Sequence, residues 1–156
     1  MRTIIKLVTI LSCVLFLAGC SSEYAVTHAQ SQGTTIQGST KRIAFGYWTK
    51  TLVQSVDNKG IISLASVVDG ADYKAPVTPG QPHTFTVLVH FLNGFTKGQY
   101  KGRGEIQATL KPGQNYVVAA KVNKADSKDL DIWIQTKDGT RVTPSVVVHC
   151  HRISLL

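Results

Sequence analysis

The chain reads as an all-β protein, a single antiparallel β-sandwich of about seven strands, and three observations predict it. Beyond position 40, apolar residues recur at every second position, as a half-buried strand requires, and no long stretch carries the helical period. Turn residues interrupt the alternation roughly every 8–12 residues, the spacing of short strands in two packed layers. Charged residues make up 17% of the chain against 43% hydrophobic, which leaves Thr, Ser and Gln to cover exposed strand faces. An up-and-down barrel shares these features. A membrane-spanning barrel needs about eight or more strands of ~9–11 residues with a lipid-facing side, which the pattern does not supply.

The first segment is not part of that body. Arg2 and Lys6 are followed by an apolar run over residues 4–17, broken by Lys6, Thr9 and Ser12, and then by Leu17, Ala18, Gly19 and Cys20. A basic start, an apolar middle and a small-residue stop make residues 1–19 a secretion signal. The run is too short and too interrupted for a spanning helix, which takes about 20 apolar residues. Leu17-Ala18-Gly19-Cys20 resembles the lipobox of bacterial lipoproteins. That resemblance implies cleavage before Cys20, a diacylglyceryl group on its sulfur, and a membrane-anchored product. Ser21 stands where the family's inner-membrane retention signal has Asp, so the resemblance implies the outer membrane, facing the periplasm or the outside. One acyl chain binds marginally at ~0.8 kcal/mol per buried CH₂, and the family's lipid supplies more than one. The covalent lipid is the only expected prosthetic group.

Residues 20–40 read as the lipidated end and a flexible tether of Ser, Thr, Gln, Gly and Ala, with a mean reach of about 25 Å. The sandwich is expected over residues 41–156. Residues 41–48 and 51–56 read as one or two less regular strands before the turn Asp57-Asn58-Lys59-Gly60. Residues 61–68 are apolar on both faces, like a central strand, and stop at Asp69-Gly70. After Pro79-Gly80, Phe85, Val87, Val89 and Phe91 form one apolar face. Over residues 105–111, Ile106, Ala108 and Leu110 alternate with Glu105, Gln107, Thr109 and Lys111. Pro112-Gly113 turns the chain into Tyr116, Val118, Ala120 and Val122. Leu130, Ile132 and Ile134 continue the period, and Asp138-Gly139 leads to Val142, Val146, Val148 and Cys150.

Across residues 60–143, Val68-Asp69-Gly70, then Val77-Thr78-Pro79-Gly80 with His83, then Gly113-Gln114-Asn115-Tyr116, then Asp138-Gly139 mark successive turns. This ordering resembles small envelope β-sandwich modules of the PEGA type, and it implies a fold rather than an activity.

The formal charge is +8, and loss of Arg2 and Lys6 leaves +6 on the remainder. A basic envelope protein is attracted to lipopolysaccharide phosphates, anionic glycans and acidic headgroups. Nucleic acid is not expected as a partner, because export removes the usual target and no basic patch is interleaved with aromatics. Cys13 leaves with the signal and Cys20 is acylated, so Cys150 has no intramolecular partner.

Four places carry candidate chemistry. Strand alternation puts Cys150 on the face of Val146 and Val148, among core residues, and sends His149 and His151 to the opposite face. Two imidazoles two residues apart suit Zn²⁺ or Cu²⁺ if a third ligand joins them, and otherwise they are a solvent-facing pair. Residues 97–104 read as a flexible, glycine-rich basic loop whose Lys97, Tyr100, Lys101 and Arg103 suit phosphate or sugar, or serve as a plain surface connection. Trp133 falls on a polar face, open to a partner or covered by a sandwich edge or the tether. Asp126, Asp129 and Asp131 lack the spacing of a calcium loop and read as a solvated cluster.

Enzyme signatures are missing: there is no G-x-S-x-G, H-E-x-x-H, C-x-x-C or P-loop, and Glu23 and Glu105 are the only glutamates. The expectation is a non-enzymatic outer-membrane lipoprotein with a binding or structural role in the envelope, its partner an envelope protein or an anionic glycan. Two alternatives stand beside it: a periplasmic metal-binding protein using His149 and His151, and an inhibitor or assembly factor that adds a strand to a partner's sheet.

Overall fold

The computed structural model describes residue 24 and residues 26–61, 73–94, 98–123 and 128–153. Residues 1–19, Cys20, Lys97, Asp126, the turn Asp69-Gly70 and all of the strand expected at 61–68 except Ile61 lie outside the described residues. No helix among the described residues is long and apolar enough to cross a membrane.

The fold is an all-β sandwich. Helix α1 (His28–Ser31) precedes β1 (Thr35–Gln37), β2 (Ser39–Ala44), β3 (Tyr47–Val56), β4 (Lys59–Gly60) and β5 (Ala75–Pro76). Then come β6 (Pro82–Asn93), β7 (Gln99–Thr109), β8 (Asn115–Val122), β9 (Asp129–Thr136), β10 (Val146–His149) and β11 (His151–Arg152). One sheet runs β10-β9-β8-β1-β5; the other runs β11-β7-β6-β3-β2, with β4 added beside β3. The expected apolar faces supply the core: Phe85, Val87, Val89 and Phe91 from one sheet meet Tyr116, Val118, Leu130, Ile132 and Ile134 from the other.

Four expectations need correction. The tether does not extend to position 40. Thr27 and Gln30 form a capping box on α1, and Ile36 of β1 is 0% exposed between β5 and β8. Three residues of period-two pattern are too few to announce a strand, and here the neighbours supply the hydrogen bonds. The break expected at residues 49–50 falls instead at Phe45-Gly46, where β2 turns into the ten-residue β3, and the irregularity is a register shift between Arg42 and Ala44. Residues 99–104 are not a loop. They begin β7, which pairs with β6 without a break from Gln99 to Thr109. Glycines suggested mobility there, yet Gly102 and Gly104 face inward, where a Cβ would meet Cys150, Val148 and Ile132. The sandwich is also not wholly antiparallel, because β1 runs parallel to β8.

Two close approaches explain how the layers are joined. Between β1 and β2 the chain passes from one sheet to the other at Gly38, where a Cβ would lie 2.0 Å from the Thr51 carbonyl oxygen. Between β10 and β11 it passes back at Cys150, over the two inward-facing glycines of β7. Because β1 leaves its sheet after Gln37, the Val118 carbonyl of β8 loses its ladder partner. The hydroxyls of Ser39 and Thr51 each donate to it, both at 2.7 Å. Buried carbonyls demand such partners.

Candidate functional site

Two His–Asp pairs look like chemistry at first sight: one is buried and locked into a turn, the other lies exposed across two strands. Asp57 and Asn58 have φ of 52° and 63°, the left-handed pair of a two-residue hairpin turn between β3 and β4. Asp57 accepts from the Thr84 amide at 2.9 Å and from His83 Nδ1 at 2.6 Å, while His83 Nε2 donates to the Thr78 carbonyl at 2.7 Å. Burial works against the Asp57 carboxylate, but the Thr84 and His83 hydrogen bonds and the charges of His83 and Lys59 outweigh it, so its pKa is lowered. His83 is 2% exposed and both ring nitrogens are engaged, which leaves none for a substrate. On β10, His149 donates to Asp129 at 2.8 Å across the register.

His149 and His151 do not share a strand. The sheet switch at Cys150 leaves His149 opposite Asp129 on β9 and His151 opposite Lys101 on β7. Among the described residues no three His, Cys, Asp or Glu side chains gather as a metal-binding group. Cys150 itself lies in the core, where burial, reinforced by the charge of Asp129, pushes its thiol up to about 11.

The residues of the expected basic segment part company. Tyr100 turns inward and stacks on Phe91, with centroids 4.9 Å apart. Lys101 and Arg103 point outward from β7 and are exposed. Trp133 sits on the outer face of the other sheet, half-buried, with the Arg141 guanidinium 4.2 Å above its ring and its indole donating to Gln135.

What gathers around Lys101 is a row of cationic and titratable side chains. Lys50 on β3 stands opposite His90 on β6, His90 opposite Lys101 on β7, and Lys101 opposite His151 on β11. Thr49, Thr51, Val89, Phe91 and Gly102 are buried, so alternation puts this row on the outer face. The next row toward the β2–β3 turn is Arg42, Trp48, Leu92 and Gln99; on the other side Leu52 and Leu88 lead to Arg103. Glu105, in the row beyond, is the single carboxylate of these rows.

Neighbouring Cβ atoms in such rows lie about 5 Å apart, and like charges directly opposite each other are destabilising. No carboxylate among the described residues is within ion-pair distance of Lys50, Lys101 or Arg103. His90 registers the crowding: burial first, then the charges of Lys50 and Lys101, lower its pKa. A shallow hollow of about 380 Å³ lies on the same face, lined in part by Ser55, Gly60, Arg103 and Glu105.

The other sheet's outer face is different. Asp131 stands opposite Lys121 and Val147, Asp129 is bonded to His149, and Arg141 covers Trp133. Charges of both signs are interspersed there, whereas on the six-stranded sheet the described rows set Lys50, Lys101, Arg103 and Arg42 against the single carboxylate Glu105.

Lys50 and His90 were not singled out by motif. The signal that finds them is phase plus register: each is a basic residue at an outward-facing position of its strand. Only the pairing of β3, β6, β7 and β11 puts them side by side.

Fold and site together define a two-layer β-sandwich with one cationic face. No family model matches the chain, and no curated protein or solved structure was found that matches it.

Proposed function

We propose that this is a lipid-anchored, non-enzymatic protein of the bacterial outer membrane, acylated on Cys20, that holds an anionic partner on the outer face of its six-stranded sheet. The carrying observation is the row Lys50, His90, Lys101 and His151, which sets a lysine on either side of His90 with no carboxylate of the described residues within ion-pair distance of them. A partner with phosphates or carboxylates supplies the missing counter-charge. The anchor reading rests on the basic start, the apolar run and Leu17-Ala18-Gly19-Cys20. The non-enzymatic reading is supported by the absence of a catalytic signature in the sequence and by the way the His83–Asp57 pair is tied into a turn with both ring nitrogens engaged.

Three measurements test it. Mass spectrometry of the protein from its own cells should find Cys20 as an acylated N-terminus, and Cys20→Ser should release the protein from membranes. The mature domain should bind an immobilised polyanion with a steep salt dependence that Lys50→Glu with Lys101→Glu removes. An unacylated chain still beginning at Met1, or salt-dependent binding that survives the double reversal, contradicts the proposal.

A further inference from the structure

The folded body begins much closer to Cys20 than a 20-residue tether would allow. The Tyr24 amide donates to the Gly60 carbonyl at 3.0 Å, and the Tyr24 side chain packs against the core. Burial raises its phenol above the usual value, as expected of a docked ring. Tyr24 lies four steps along the chain from Cys20, and a fully extended chain covers at most ~3.6 Å per step, or about 14 Å in all. Gly60, the acceptor of that hydrogen bond, also borders the shallow hollow that contains Arg103 and Glu105. The anchored end therefore meets the body at the margin of the cationic face.

We propose that this face lies on the anionic phospholipid headgroups of the membrane that holds the anchor, so that lipid and sheet make one two-point attachment and the other sheet faces away. The proposal rests on the anchor reading above and names the partner of the same face. Three observations favour a bilayer over a glycan. The leash keeps the body within reach of the surface, whereas a free domain beyond a screening length of about 8 Å would feel little of it. The basic side chains spread over four adjacent strands, β3, β6, β7 and β11, as a planar array suited to a plane of phosphates rather than to one bound molecule. Half-buried Trp48, Leu52, Leu88 and Leu92 are interspersed with them, and Trp with aliphatic carbon beside lysine suits the headgroup level.

The two tryptophans lie on opposite faces, Trp48 beside the cationic row and Trp133 on the other sheet, so they report orientation. The lipidated protein is reconstituted into brominated vesicles of phosphatidylcholine alone or of phosphatidylcholine with phosphatidylglycerol. Trp133→Phe leaves Trp48 as the reporter, and Trp48→Phe leaves Trp133. Expected is quenching of Trp48 in phosphatidylglycerol vesicles only, lost at about 1 M salt, where screening acts over ~3 Å, and no quenching of Trp133 in either. Lys50→Gln with Lys101→Gln should abolish the quenching while the protein still floats with the vesicles. For the unlipidated domain, each neutralised lysine should weaken vesicle partitioning about fivefold.

Equal quenching of both tryptophans, none in either, or Trp48 quenching indifferent to salt and to the lysine substitutions overturns the proposal. So does displacement of the face from phosphatidylglycerol vesicles by a soluble sulfated glycan at stoichiometric concentration. Failure of the wild type to float at all removes the anchor reading instead, and the two failures are thereby distinguished.

Discussion

At the scale of single residues, hydrogen-bonded polar groups do structural work that their chemistry disguises. Asp57 is held as a carboxylate by the Thr84 amide and His83, and its lowered pKa makes a signed prediction. A carboxylate whose folded pKa lies below its unfolded value, about 3.9, contributes stability that is full above that pH and is lost as the pH falls through the folded value. Urea midpoints should therefore drop below about pH 4, and Asp57→Asn should remove that part of the acid dependence while lowering stability at neutral pH. A midpoint in Asp57→Asn that follows the wild type throughout would refute this role. Cys150 gives a second residue-scale prediction. With its thiol at about 11 and its side chain in the core, it should resist alkylation at pH 8 until the protein unfolds. Rapid labelling of native protein would mean that the corner between β10 and β11 opens.

Elements are decided by how closely the layers approach. The Val118 carbonyl takes two hydroxyl donors, but Thr51 Oγ1 also accepts from the Ser39 amide at 2.8 Å. Thr51→Val therefore orphans a buried amide and should cost about 1–3 kcal/mol, whereas Ser39→Ala leaves the carbonyl satisfied and should cost ~1 kcal/mol or less. Denaturant unfolding of the two variants checks the order. On β7, a Cβ at Gly104 would sit 2.5 Å from Val148 Cγ2 and 3.0 Å from Ile132 Cδ1. Gly104→Ala should destabilise by about 1–3 kcal/mol through overpacking. Adding Val148→Ala should recover part of that loss, giving a favourable coupling in a double-mutant cycle. Additive costs would show that the glycine matters for another reason.

The whole molecule gathers its least-compensated cations on one face. Repulsion across the row costs stability while it favours anions, so the two should trade off. Lys101→Glu should raise the unfolding free energy by up to about 1 kcal/mol at low salt, with the gain fading at high salt, while anion binding weakens. Unfolding measured at two ionic strengths beside polyanion binding tests both halves. A variant that loses stability and keeps its binding would mean the row is not under electrostatic strain.

The sequence alone determined the class of fold and most of its core. Alternation in Phe85, Val87, Val89 and Phe91, or in Leu130, Ile132 and Ile134, depends only on a residue and its near neighbours, and burial follows that phase directly. It also marked Cys150 as a core residue and Lys101 and Arg103 as cations to watch. Only tertiary structure decided that residues 35–37 are a strand, that His149 and His151 part at a corner, and that Lys50 and His90 join Lys101. Those outcomes depend on which strands adjoin and in what register. Pairing is chosen by contacts between residues far apart in the chain, and a local period carries no information about it.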